Sequence, residues 1–240
     1  MGRTQNPPHF LVISPPKTGS TWLAENLRCH PDLFLPECKE LKYFSSLHRF
    51  VGPDWYRAQF ARALGRLAGE ASPSYAALPS CQIERIHREY PHVRLLFLMR
   101  DPISRAWSHA RHAHRFQEGR FDGVQTGAPS DADWVACCES DWLMASGDYL
   151  GQLKRWLAVF PREQFLIGFY ESIAKEPERL LRTAFRFVGT DDGVDLSTFP
   201  TRERVFPGPE RGLPPSVEAS LRVLWHARTL ELVEFLRTRL

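Results

Sequence analysis

The chain has little of what would mark a specialised class. Its 240 residues include five cysteines, at 29, 38, 81, 137 and 138. The count is odd, no two stand in a C-x-x-C pair, and the adjacent pair is poorly placed to bridge, so neither a disulfide framework nor a structural metal is expected. A reducing, cytoplasmic setting follows as the expectation. No apolar run approaches the roughly 20 residues of a membrane span, and the opening MGRTQNPPHF has neither an apolar signal core nor a transit-peptide pattern, so no membrane partner is expected. Met1-Gly2 starts like a myristoylation signal, but Asn6 stands where serine or threonine is required. Charge is nearly balanced, 31 Lys+Arg against 28 Asp+Glu for a net +3, and the basic residues form no blocks. Nucleic acid is therefore not an expected partner. Repeats and low-complexity tracts are also lacking. What remains, with 43% hydrophobic residues, is enough for one large domain with a substantial core.

The most informative stretch is FLVISPPKTGSTWL, residues 10–23. Phe10 to Ile13 is a short, wholly apolar run, the pattern of a buried parallel strand. After Ser20, Trp22, Leu23 and Leu27 recur with helical spacing, and Glu25, Asn26 and Arg28 fall largely on the other side. A tight loop thus joins a strand to a helix whose first N–H groups are uncapped. Thr18, Ser20 and Thr21 add hydroxyls beside the Lys17 ammonium, and such a loop binds an anion, most plausibly a phosphate. The usual phosphate loop, G-x-x-x-x-G-K-[ST], places its lysine after the last glycine. Here Lys17 precedes Gly19 and the loop is shorter, which suits a monophosphate or mixed anhydride better than ATP.

Three further apolar runs read as strands, 67–71, 94–99 and 164–169, with amphipathic helices expected over 81–90, 149–160 and 177–188. Alternation of this kind implies a single α/β domain over 1–240, a parallel sheet flanked by helices on both faces, with its core at about 9–189. Residues 190–240 add a loop and a C-terminal helix beginning after Pro214 and Pro215. Two stretches, 116–141 and 190–213, resist assignment and read as lids or binding loops.

A second anion site is expected at MRDPISRAWSHARHAH, residues 99–114. Asp101-Pro102 is an N-cap followed by a first-turn proline, so a helix starts where a strand ends, the position at which open α/β sheets bind ligands. Ser104, Ser108 and His112 share one face of it; Ile103, Trp107 and Ala110 can pack inward. Arg100 supplies a planar fork for a phosphate and Ser108 a hydroxyl. Two phosphate sites at neighbouring strand ends imply a nucleotide phosphorylated at two positions on its ribose.

These motifs resemble those of sulfotransferases that use 3′-phosphoadenosine 5′-phosphosulfate (PAPS). PPKTGSTWL resembles their 5′-phosphosulfate loop and RLLFLMRDPISRAWSHARH their 3′-phosphate motif. KELKYFSS (39–46), GEASPSY (69–75) and GDYLGQLKRWLAVFPREQFLIGFYESI (147–173) extend the likeness to Gly189. The version here is similar to the heparan-sulfate-type, carbohydrate-modifying branch, in a soluble, bacterial-like form with a P-loop-like fold.

The resemblance implies roles. Lys17 would contact the 5′-phosphate and stabilise the bridging oxygen as the sulfuryl group leaves, where negative charge develops. Thr18, Gly19, Ser20, Thr21 and Trp22 would form the 5′-phosphate loop, and Arg100 and Ser108 would bind the 3′-phosphate. Arg202 and Arg204, or Arg211 with Gly212, would supply a later nucleotide-binding loop. An alcohol acceptor needs a base. Glu40 of KELKYF is one candidate, with Glu37 its ordinary neighbour, and His112 the other. Tyr75 and Tyr149 match tyrosines near the acceptor cleft. The family's E-K-[ST]-P reads Glu70-Ala71-Ser72-Pro73 here, so one cleft lysine is missing. The expected reaction is direct in-line transfer of a sulfuryl group from PAPS to a hydroxyl, or an amine, of a carbohydrate or small natural product, releasing 3′-phosphoadenosine 5′-phosphate (PAP), without a metal. The alternatives are an inactive nucleotide-binding module and a small-molecule kinase of the P-loop class, which the missing G-x-x-x-x-G-K-[ST] loop disfavours.

Overall fold

A computed structural model describes residues 6–118, 128–203 and 212–239, with the backbone alone over 115–118. Five strands, β1 (Phe10–Val12), β2 (Leu33–Phe34), β3 (Leu67–Ala71), β4 (Arg94–Met99) and β5 (Phe165–Phe169), form one sheet in the order β2-β3-β1-β4-β5. All neighbours are parallel, with Phe10 opposite both Gly69 and Arg94 and Leu95 opposite Phe165. The helices among the described residues are α1 (Ser20–Arg28), α2 (Pro53–Ala58), α3 (Ser80–Glu89), α4 (Pro102–Glu118), α5 (Asp131–Glu139), α6 (Asp141–Gly147), α7 (Tyr149–Leu157), α8 (Tyr170–Lys175), α9 (Pro177–Val188) and α10 (Pro215–Arg239).

The chain divides into two compact units, one of residues 1–99 and 152–205 and one of 100–151 and 206–240. The first holds the sheet. Phe10, Leu11 and Val12 have no exposed surface, as the apolar run requires of a central parallel strand covered on both faces. Trp22, Leu23 and Leu27 of α1 and Leu180, Leu181, Phe185 and Val188 of α9 pack with Leu33, Leu96 and Leu98 into one cluster, each such side chain stabilising by about 1.5–3 kcal/mol. Phe10 lies against glycine at 69, where any side chain would meet the Phe10 ring and approach its carbonyl oxygen to 2.5 Å. In the second unit, Trp107 and Ala110 of α4, Trp134 and Cys138 of α5, and Val217, Leu221 and Trp225 of α10 form a separate cluster. Asp101 caps α4 by accepting from the Ser104 N–H at 2.8 Å.

The parallel sheet, its three longer strands and the C-terminal helix agree with the periodicity. Three features differ. The two-residue β2 is too short to leave a pattern. Within 116–141, expected to be loop, α5 forms because Ser130 and Asp133 cap it reciprocally, Ser130 also accepting from the Asp133 N–H, an S-x-x-D signal visible in the sequence; residues 119–127 lie outside the described set. Residues 190–203 are a docked strap and not an open lid: Leu196 and Phe199 are buried, His30 bonds the Asp191 carbonyl at 2.8 Å and the Trp22 indole donates to the Thr201 carbonyl at 2.9 Å.

The close approach at β1 and β3 sets a prediction. Gly69→Ala should destabilise the protein by about 1–3 kcal/mol, the cost of overpacking a dense core; urea unfolding with an unchanged midpoint would contradict the packing described.

Candidate active site

The loop after β1 is held from beneath. Ser14, fully buried, donates to the Leu96 carbonyl at 3.3 Å and accepts from the Leu98 N–H at 2.8 Å. Thr18, also buried, donates to the Pro15 carbonyl at 2.7 Å, so its hydroxyl shapes the loop. Lys17 has φ 72° and Gly19 φ 94°, two left-handed residues that turn the chain into α1 within a few positions. Gly19 is the N-cap, and no side chain caps the helix. The first turn of α1 therefore offers its backbone N–H groups, with the positive end of the dipole, to an anion. At Gly19 a Cβ would approach Ile173 Cδ1 to 2.5 Å and Tyr170 Cδ2 to 3.2 Å, so α8 packs directly under the turn. Trp22 contributes its backbone to that first turn, but its ring is buried in the core and its N–H is used by Thr201.

A second element reaches the same end of β1. The Ser72 N–H donates to the Val12 carbonyl at 3.2 Å, and the Ser72 hydroxyl accepts from the Lys42 N–H at 3.0 Å. One residue thus joins the end of β1 to the Glu40–Lys42 turn. Glu40 and Lys42 both have positive φ, 66° and 52°. Lys39 Nζ lies 3.2 Å from Glu40 Oε1 and Lys42 Nζ 3.2 Å from Oε2. Burial pushes the Glu40 carboxyl up, but the two ammoniums outweigh it and hold the group below its ordinary value. Glu37, by contrast, is exposed and pairs with Arg62 at 2.9 Å. A small recess of about 10 Å³ beside the turn is lined in part by Arg28, Lys39, Glu70 and Ala71.

Beneath the turn stands a residue to which sequence reasoning gave no role. Glu70, 2% exposed, accepts from Tyr75 at 2.7 Å and Tyr56 at 2.9 Å on Oε1, and from Ser72 at 2.6 Å on Oε2. The signal was a carboxylate inside the small, apolar strand LAGEA, where an acidic residue needs partners. Burial, then the Glu70 charge, pushes the Tyr56 and Tyr75 hydroxyls well above their usual range, so both remain donors. Tyr75 has no exposed surface, and besides donating to Glu70 its hydroxyl accepts from the Phe44 N–H at 3.2 Å. The acceptor contact expected of it is replaced by a place in the interior: Tyr75 shapes the 42–46 segment from below.

In the other unit, Tyr149 is nearly buried. Its hydroxyl donates to the Arg100 carbonyl at 3.0 Å and accepts from the Arg100 N–H at 3.2 Å, fixing the backbone from which the Arg100 side chain extends. Ser104 and Ser108 are half-buried and His112 is exposed along one side of α4. Two residues of α4 are unexpectedly interior. Arg105 has no exposed surface and donates to the Leu143 carbonyl at 3.1 Å, with His109 Nδ1 3.1 Å away. Arg202 is exposed immediately after the anchored Thr201; Arg204 and Arg211 lie outside the described residues.

A five-stranded parallel sheet with a tight turn from its central strand into an uncapped helix defines an α/β protein with a P-loop-like arrangement. Residues 7–199 match the family described as "Sulfotransferase domain", and the chain belongs to that family. It is 25% identical to a bifunctional heparan sulfate N-deacetylase/N-sulfotransferase of Caenorhabditis briggsae, over 85% of this chain and 24% of that protein. It is 29% identical to a human heparan sulfate glucosamine 3-O-sulfotransferase, over 71% of this chain and 48% of that one. The chain thus spans about a quarter to a half of these curated relatives. A solved sulfotransferase from Alicyclobacillus acidocaldarius shares the fold, with a TM-score of 0.74 and 24% identity over 98% of this chain and 97% of that one. Among the described residues no helix is long and apolar enough to cross a membrane.

The loop geometry yields a direct test. Gly19→Ala puts a side chain on a left-handed residue, at a cost of roughly 1–2 kcal/mol, and against α8. Stabilisation of the protein by PAP in a thermal-shift assay should fall by at least half. A shift equal to that of the unmodified protein would show that the turn does not hold the anion.

Proposed function

We propose that the protein transfers a sulfuryl group from PAPS to a hydroxyl of a carbohydrate acceptor, with PAP as the other product. The observation that carries this reading is Ser72, whose backbone is bonded to the end of β1 and whose side chain is bonded to the Glu40 turn. An anion-binding loop and a carboxylate-bearing turn are thereby tied to one residue. The residues present fit the donor: the uncapped start of α1 and the Lys17 ammonium suit a 5′-phosphate, and Ser20 and Thr21 stand in the same first turn. By resemblance, Arg100 and Ser108 take the 3′-phosphate, Arg100 from a backbone that Tyr149 holds. PAPS supplies an activated sulfuryl group whose leaving oxygen becomes negative.

Within this reading, Lys17 places positive charge at that oxygen, and the loop amides hold the phosphate without rearrangement, the form of stabilisation that lowers a barrier most. Glu40 accepts the proton of the attacking hydroxyl. Ser72 favours Glu40 over His112 for this role, because it ties the Glu40 turn to the strand that carries the phosphate loop. The carbohydrate class rests on the heparan-modifying relatives. A cytoplasmic setting is in keeping with five unbridged cysteines.

The reading is tested with PAPS and desulfated heparan oligosaccharides, alongside simple sugars. Lys17→Ala should lower kcat by roughly 10²-fold or more, the usual cost of removing a transition-state charge partner, while PAP binding weakens less; near-normal turnover would refute the role of Lys17.

The pH profile provides a separate test. Because Lys39 and Lys42 hold the Glu40 carboxyl low, it stays ionised as pH falls to the ordinary carboxylate range. Activity should be lost only below that range, as the carboxylate becomes protonated. Removing one ammonium in Lys42→Met lets the carboxyl titrate at higher pH, so the acid limb of kcat should move upward. Glu40→Gln should lower kcat by roughly 10²-fold or more at all pH values, and His112→Ala by less. An acid limb that ignores Lys42→Met, or a Glu40→Gln protein with full activity, would remove Glu40 from the mechanism.

A further inference from the structure

We infer that Glu70 is a positioning residue: its buried carboxylate, acting through Ser72 and Tyr75, holds the Glu40 turn in its left-handed conformation. The inference rests on the role of Glu40 proposed above. Glu40 and Lys42 occupy φ values of 66° and 52°, which non-glycine residues adopt at a cost and keep only where the surroundings over-determine them. The restraints here are two backbone N–H groups with side-chain acceptors, the Lys42 amide bonded to Ser72 Oγ at 3.0 Å and the Phe44 amide to the Tyr75 hydroxyl at 3.2 Å.

The direction of each bond follows from Glu70. A hydroxyl that accepts from an amide must send its own hydrogen elsewhere, and both Ser72 and Tyr75 send theirs to the Glu70 oxygens. With Tyr56, three hydroxyl donors converge on the two oxygens, within the acceptor capacity of a carboxylate; burial pushes the Glu70 carboxyl up, and these three donors pull it back toward the ionised form. A carboxamide at this position would turn the contacts on one of the two oxygens into donor facing donor. The hydroxyls would then have no common acceptor, and the amides of Lys42 and Phe44 would lose their anchors. Glu70 therefore acts on Glu40 without touching it, across two hydrogen bonds and one turn.

Glu70→Gln is the test, read by amide hydrogen exchange and by kinetics. Exchange at Lys42 and Phe44 should quicken by roughly tenfold or more, as local opening becomes easier, with β4 amides unchanged. With PAPS and the desulfated heparan oligosaccharides, kcat should fall by roughly 10-fold to 10²-fold, the scale expected of a misplaced reacting group, with KM for PAPS and the PAP-induced thermal shift retained. Unchanged exchange at Lys42 and Phe44 would overturn the inference, whatever the activity. Faster exchange with full kcat would overturn it as well, leaving Glu70 a stabilising residue only. Should Glu70→Gln fail to fold, Ser72→Ala and Tyr75→Phe divide the effect: the first should free the Lys42 amide and the second the Phe44 amide, each with a smaller loss of kcat, and neither amide responding would overturn it. If the unmodified protein transfers no sulfuryl group, the proposed reaction fails, and the exchange data alone decide whether Glu70 holds the turn.

Discussion

The carboxyl edge of a parallel sheet leaves buried backbone and side-chain polar groups that must be paired, and the arrangement of the first unit follows from how they are paired. An unsatisfied buried group costs about 1–3 kcal/mol. Ser14 bridges the end of β1 to β4, taking the Leu98 amide and supplying the Leu96 carbonyl. Ser72 does the same between the end of β1 and the segment preceding β3 in the chain, supplying the Val12 carbonyl with its amide and the Lys42 amide with its hydroxyl. Two small hydroxyl residues thus convert a structural requirement into a fixed geometry for two loops.

Those loops carry strain. Four non-glycine residues among the described ones have positive φ, and three of them, Lys17, Glu40 and Lys42, lie in the loop after β1 and in the turn that carries the Glu40 carboxylate. Each such residue costs of order 1–3 kcal/mol, so neither turn is a local preference of its sequence. Packing of α8 under Gly19 and the Glu70 network under Lys42 supply the compensation. The same device therefore serves both elements, a turn in an unfavourable conformation held by packing against it, half-buried side chains of α8 in one case and the buried Glu70, Ser72 and Tyr75 in the other.

The sequence made the periodic parts legible. The apolar runs of β1 and β4 and the stripes of α9 and α10 could be read because burial on a regular element leaves a repeating pattern. The Lys17 loop could be read because its glycine, hydroxyls and lysine lie within five residues. Elements set by long-range pairing could not. The two residues of β2 have no period, and α5 depended on a capping pair that was overlooked inside a stretch rich in glycine, proline and aspartate. Tyr75 looked like an acceptor contact because tyrosine reads alike at a cleft and in a core; its burial depends on Glu70, five residues away, and on Phe44, thirty-one residues away. Glu70 itself was plain in LAGEA, but its partners are three hydroxyls that only the fold brings to it.

The two lysines around Glu40 pose a problem that the geometry answers. A carboxyl held below its ordinary value is a weaker base than a free one, so the proton acceptance proposed for Glu40 would gain nothing from basicity. It would gain from certainty of charge, since the group is ionised throughout the neutral range, and from location, since an ion pair to each oxygen restrains the carboxylate in rotation as well as in place. Brønsted behaviour makes base strength a graded effect, whereas placing a reacting group within bonding distance removes an entropic barrier of several kcal/mol. Placement is the larger of the two, and under the proposed role it accounts for Lys39 and Lys42 flanking Glu40 instead of an apolar wall that would strengthen a base. The same ammoniums would draw an anionic, sulfated or uronate-bearing chain toward the Glu40 turn, so charge that would weaken the proposed base would also favour the acceptor class proposed for it.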